Sequence, residues 1–174
     1  MKQVVLSILI ASAGVFGLQA CKQTETPETV VVQTEGEFWA KLLVMEESAL
    51  SEFDKPSDQI PEIKEVDTAE KGDRVALKLI FTGMDLSADN RADISFDIEV
   101  TSPDGSPYDG GTHKNIQAFD SQIPEPKRMF NSNAVLVLEF DPDDQIGTYN
   151  ISMLVKDNVS GQELPLKESV TLEK

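Results

Sequence analysis

Few side chains in this sequence are of the types that do chemistry on their own, and their number limits what can be built. The 174 residues contain one cysteine, Cys21, and one histidine, His113. A hydrolytic triad would have to use His113 as the base, with Asp109 or Asp120 to orient it and a serine to attack. No Gly-x-Ser-x-Gly elbow is present to hold that serine, and His113 sits in a turn-rich stretch that reads as a solvated loop. Carboxylate pairs of the glycosidase kind could be drawn anywhere in so acidic a chain, and spacing singles out none. A closed zinc site wants nitrogen and sulfur ligands, and one histidine with one cysteine does not supply them. Calcium is the better metal candidate. Asp141, Asp143, Asp144 and Gln145 crowd one loop, and Asp85, Asp89 and Asp93 recur at four-residue steps in another. Hard cations take six to eight oxygens from such loops, but neither stretch has the acid–glycine–distal glutamate order of an EF-hand. The simpler reading of 141–147 is an acidic turn.

The sole cysteine is placed more tellingly than the acids. Met1 and Lys2 are followed by "VVLSILIASAGVFGL" (4–18), an apolar run without charge, and then by "LQAC" (18–21). A basic start and a run of this length make a secretory signal, too short to span a bilayer comfortably. The tetrapeptide Leu18-Gln19-Ala20-Cys21 resembles the lipobox of bacterial lipoproteins. That resemblance implies cleavage after residue 20 and a thioether-linked diacylglycerol on Cys21, the new N-terminus. With Lys22 rather than Asp behind it, the resemblance further implies an outer-membrane location facing the periplasm. Stable anchoring takes more than one acyl chain, each buried methylene adding about 0.8 kcal/mol, and a lipoprotein modification supplies two or three. The expected domain plan is a signal peptide over 1–20, the lipidated cysteine and a tether over 21–34, and a single domain over 35–174.

Charge narrows the partners. Of 15 basic and 31 acidic residues the signal removes only Lys2, leaving 14 against 31, a net charge of −17. Nucleic acid and anionic membrane surfaces would both repel such a chain. The membrane contact expected is through lipid alone. With no second cysteine there is no internal disulfide, so a hydrophobic core must hold about 140 residues together, a length sufficient for one domain.

Hydrophobic periodicity supplies the elements. Residues 22–34 are mostly Thr, Glu, Gln and Pro and read as a tether reaching about 20 Å as a random coil. The triplet Val30–Val32 could begin the fold. In "GEFWAKLLVMEESALSEF" (36–53) Phe38, Trp39, Leu42, Leu43, Met45 and Leu50 recur at three- and four-residue steps, which predicts a short helix anchored by Trp39 and ended before Pro56. Strand signals follow. Val75, Leu77, Leu79 and Phe81 alternate, as do Ile94, Phe96, Ile98 and Val100 against Asp93, Ser95, Asp97 and Glu99, up to a Pro-Asp-Gly turn. Residues 134–144 are apolar on both faces, which predicts a central strand. Tyr149, Ile151, Met153 and Val155, then Leu166, Val170 and Leu172, complete the pattern. Residues 108–133 read as loop, with short edge strands around Ile116 to Phe119. Closely spaced strands with no long helix between them predict an antiparallel sandwich.

The stretch "DPDDQIGTYNISMLVKD" resembles the tyrosine corner of immunoglobulin-like sandwiches: an acidic turn, Gly147, then Tyr149 at the start of an alternating strand. The resemblance covers about residues 73–174, without the disulfide and core tryptophan of antibody domains. It implies a mainly β, immunoglobulin-like antiparallel β-sandwich behind a short helix and a flexible tether, with Gly147 and Tyr149 in structural roles. Fold alone assigns no activity. The functional expectation is a non-enzymatic cell-envelope lipoprotein whose acidic module meets an envelope protein. The alternatives are a calcium- or small-ligand-binding module using Asp141, Asp143 and Asp144, and, further off, an envelope hydrolase.

Overall fold

Apolar residues from Phe38 to Leu172 build two β-sheets that share one core. The computed structural model describes residues 37–174 apart from 57, 58, 60 and 124–128. The signal segment, Cys21, the tether and Val30–Val32 lie outside the described residues. In chain order the strands are β1 (Trp39–Glu46), β2 (Thr68–Ala69), β3 (Arg74–Thr82), β4 (Arg91–Thr101), β5 (Pro107–Gln122), β6 (Phe130–Asn131), β7 (Leu136–Glu139), β8 (Gly147–Asp157) and β9 (Glu163–Leu172). The smaller sheet has β3 in its middle, with β1 on one side and β6 and β7 in succession on the other. The larger runs β2-β9-β8-β4-β5. Every pairing is antiparallel except the short β2–β9 contact. The orders β1-β3-β7 and β9-β8-β4-β5, joined by crossovers between β3 and β4, β5 and β6, and β7 and β8, are those of an immunoglobulin-like sandwich.

The core lies between the sheets, and the alternation read from sequence places it. Val75, Leu77, Leu79 and Phe81 from β3 meet Ile94, Phe96, Ile98 and Val100 from β4 and Tyr149, Ile151, Met153 and Val155 from β8, all buried. Val170 and Leu172 join them from β9, while Leu166 is only half-buried. At about 25 cal/mol per Å² this shared apolar face is the main stabilising term.

The smaller sheet has a second layer. Residues Trp39–Glu46 form a strand, not the predicted helix, and a 3-10 helix over Glu47–Asp54 folds back across the sheet's outer face. There Leu43, Met45 and Ala76 are buried beneath Ala49, Leu50, Phe53 and Ile63. A strand covered on both faces is apolar at successive positions, and its spacing then imitates that of a helix. Trp39, expected as the anchor of that helix, is half-buried on β1. Under the same cover lies Lys78, whose Nζ donates to the Ser132 carbonyl at 2.5 Å and stands 5.3 Å from the Phe53 ring centre. Burial lowers the Lys78 pKa, partly offset by Asp54.

Two further expectations are corrected. Residues 134–144 do not make a central strand: β7 is four residues long and pairs only with β3, so Val135 and Val137 lie at an edge. Residues 107–122 are a 16-residue strand, not a loop with short strands, so His113 is half-buried in β5 opposite Ile98. Register shifts against β4, and positive φ at Gly110 and Asn115, break its alternation.

One segment joins the sheets along a side. Glu65 bridges Met45 of β1, and three residues later Thr68 pairs with Thr171 of β9. Lys41 and Glu65 form an ion pair at 2.5 Å on this seam. Burial, then the Glu65 charge, raises the Glu168 pKa there, against a lowering by Lys41.

Candidate functional site

The chemistry-capable side chains gather at the two ends of the sandwich. The distal end holds the β7–β8 connection, and the proximal end is where the described chain begins at Glu37.

At the distal end the Tyr149 hydroxyl donates to the Gln145 carbonyl, four residues upstream, at 2.9 Å. Gly147 opens β8 with φ +136°, and a Cβ there would lie 2.8 Å from the Pro103 ring, so a side chain is unwelcome twice over. The Tyr108 hydroxyl is 2.8 Å from the Glu139 carbonyl and 2.9 Å from Asp144 Oδ2, within donating reach of both. The rings of Tyr108, Phe140 and Tyr149 meet edge-on or tilted, with centres 5.0–6.4 Å apart. Burial raises the pKa of both phenols, and the Asp144 charge adds to each. Asp144 Oδ2 also accepts from the Asp141 backbone N–H at 2.7 Å. The loop of Asp141, Asp143 and Asp144 is thus closed on itself by the turn reading's own bonds. A calcium ion would have to compete with Tyr108 and that amide for the same oxygen.

The proximal end turns on Asp157, which sequence reasoning did not single out. Its side chain is buried, 1% exposed. Oδ2 accepts from the Asp85 N–H and the Ser160 hydroxyl, both at 2.8 Å, and Oδ1 accepts from the N–H groups of Val159 and Ser160. One carboxylate therefore ties the β3–β4 loop to the β8–β9 turn. The signal was present in "DNVSG": an aspartate two and three residues ahead of the amides it accepts is an Asx turn. What could not be read was Asp85, 72 residues away. Gly83 completes the loop: φ is +70°, and a Cβ would come within 2.1 Å of the Glu37 carbonyl. Gly161 takes the positive-φ place in the β8–β9 turn.

The other sequence candidates have separate partners. Asp89 accepts from the Ser87 hydroxyl at 2.5 Å, and that bond holds its pKa low. Asp93 accepts from Gln117 and Asn158. Asp120 pairs with Arg91 at 2.5 Å, which lowers its pKa. His113 Nε2 lies 2.8 Å from the Gly110 carbonyl. Asp85, Asp89 and Asp93 do not converge, and neither do His113 and Asp120. Among the described residues no group of three or more His, Cys, Asp or Glu side chains could hold a metal ion. None of the described helices is long and apolar enough to cross a membrane.

The proximal end also carries exposed apolar side chains on three loops: Leu86 (39% exposed) after β3, Met129 (53%) before β6 and Val159 (37%) in the β8–β9 turn. Bonds fasten these loops together, through Asp157 and through the Ile123 N–H donating to the Asn90 carbonyl at 2.8 Å.

No family model and no curated protein matches the sequence. Solved structures similar to it include a family 123 glycoside hydrolase from Clostridium perfringens, with a TM-score of 0.45, 8% identity, and coverage of 79% of this chain and 28% of that one. A Niemann-Pick type C2 protein from the Japanese carpenter ant gives a TM-score of 0.40 at 8% identity, covering 76% and 89% of the two chains. The CARDB domain of a Pyrococcus furiosus protein, in complex with di-metal ions, gives 0.37 at 15% identity, covering 78% and 90%. This chain spans little more than a quarter of the glycoside hydrolase's length.

Proposed function

We propose that this chain is a cell-envelope lipoprotein, held by lipid on Cys21 to the periplasmic side of the outer membrane, whose acidic immunoglobulin-like module serves without catalysis as a contact surface for an envelope protein. The observation that carries the reading is "LQAC" directly behind the apolar run, with the only cysteine at its last position. The geometry supports it from the other side. Asp144, Asp157, His113 and Tyr108 are engaged in bonds that hold loops and strands. The outer face of the larger sheet presents Glu99, Ser152 and Lys167 in one cross-strand row, beside Thr112 of β5. The bulges of β5 oppose addition of a further strand to that edge, so the contact is through side chains.

Two experiments test the reading. Cells fed labelled palmitate should incorporate it into the wild type, and Cys21→Ala should lose the label and leave the membrane fraction. An unchanged membrane fraction for Cys21→Ala would overturn the anchor. A photo-crosslinking residue at Ser152 or Lys167 should trap one abundant envelope protein in cells, and no adduct at either position would overturn the contact surface.

A further inference from the structure

We propose that the proximal end of the sandwich rests on the bilayer that holds the lipid, with Leu86, Met129 and Val159 dipping into the headgroup boundary of zwitterionic lipid. The inference depends on the anchor proposed above and adds to it an orientation and a second membrane contact.

Position is the first argument. Glu37 adjoins Gly83, so the chain arrives at this end. Fifteen residues, 22–36, separate it from Cys21. A chain of that length extends at most about 50 Å, and usually far less. The distal end lies a full strand further off. β8 has 11 residues, or about 35 Å at the usual rise per residue. At a random-coil reach of about 20 Å the lipid places the proximal end nearer the membrane, with the distal end a strand length beyond it.

Chemistry is the second. Among the described residues, three of the five exposed large hydrophobic side chains stand at this end, each on its own loop. Single apolar side chains on bonded loops suit the shallow boundary between headgroups and acyl chains, where an apolar tip is buried while the backbone beside it stays hydrated. Four carboxylates at this end are engaged, Asp157 by four donors, Asp93 by two amide groups, Asp89 by a hydroxyl and Asp120 by an arginine, while Asp85 beside Leu86 and Glu163 at the start of β9 are exposed. The net charge still excludes a strongly anionic surface, hence the zwitterionic lipid. A weak contact suffices, because the tether already supplies a high effective concentration.

The test uses the full lipidated chain in phosphatidylcholine–phosphatidylethanolamine vesicles. With Cys21 blocked by lipid, a cysteine introduced as Leu86→Cys, Val159→Cys or Ile146→Cys is the only free thiol and takes a nitroxide label. Ile146, 47% exposed at the distal end, is the matched control. Relaxation of the label by oxygen relative to a water-soluble nickel complex should be several-fold higher at 86 and 159 than at 146. Water-like values at all three, with the protein still floating with the vesicles, would overturn the docking and leave the anchor standing. Failure to float would overturn the anchor, and the docking with it. Lipid-like values at 146 alone would reverse the orientation. Labels at 86 and 159 that are water-like in vesicles but shielded in cell envelopes would mean that a protein covers this end, and would overturn the bilayer assignment.

Discussion

The two sheets share a core but are held in place by different means. The smaller sheet is buried on both faces, its outer side closed by the 3-10 helix over Leu43, Met45 and Ala76. The larger sheet leaves its outer face to water and is fastened at the two ends of β8, by Tyr149 on Gln145 and by Asp157 on two loops. A covered sheet gains stability from apolar area in proportion to what the cover buries. A sheet with a wet face gains nothing there and depends on directional bonds where its strands end.

Equivalent truncations on the two outer faces should break this contrast most visibly. Met45→Ala opens a cavity under the helix and should cost about 2–5 kcal/mol. Leu154→Ala, on the outer face of β8, should stay within about 0.5 kcal/mol. Equal midpoints in urea for the two variants would mean that the helix is a loose flap and not a layer. Next in size is Asp157→Ala, which removes the acceptor of three backbone amides and a hydroxyl in part-buried bonds. At about 1–3 kcal/mol for an unsatisfied group, it should lower the melting temperature and speed amide exchange at Asp85 and Val159, leaving the distal end protected. Tyr149→Phe removes one hydroxyl and should cost about 1 kcal/mol, with exchange faster around 145–149 instead.

The smallest effect lies on the seam. Folding raises the Glu168 pKa, chiefly through burial and then the Glu65 charge. Between its unfolded and folded values the native state therefore holds the extra proton, so this group adds stability as pH falls through that window and withdraws it as pH rises. Glu168→Gln should accordingly melt slightly above the wild type at pH 7, and the gap should close as pH falls below the unfolded value. A gap that widens on acidification would place the sign wrongly.

The same contrast explains what the sequence disclosed. β4 and β8 have one wet face, so Asp93, Asp97 and Glu99 alternate with Ile94, Phe96 and Ile98, and period two was plain. β1 has no wet face, and Phe38, Trp39, Leu42, Leu43 and Met45 fell by accident at helical steps. β5 was missed for another reason: Gly110, Gly111 and Asn115 are bulge residues in a strand and loop residues in a string of letters. At the ends, Gly147 and Tyr149 were legible because their bond is local, within four residues. Asp157 was half legible, its turn being local and its link to Asp85 spanning 72 residues. Clusters such as Leu86 with Val159 exist only once the crossovers are made, and periodicity carries no information about them.

The seam at 65–69 has a consequence for how the molecule is made. Glu65 lies on the first strand and Thr68 on the last, so contacts more than 100 residues apart close that side. Closing so long a loop is entropically slow, and pairings of this kind form late. A chain delivered N-terminus first, from a ribosome or through a membrane pore, would carry β1 and β3 ahead of the strand that seals them. The side would stand open until β9 emerged. Such a protein is at its most vulnerable to proteases and to other nascent chains before β9 is available, and loss of β9 would damage the seam at 65–69 as much as the larger sheet.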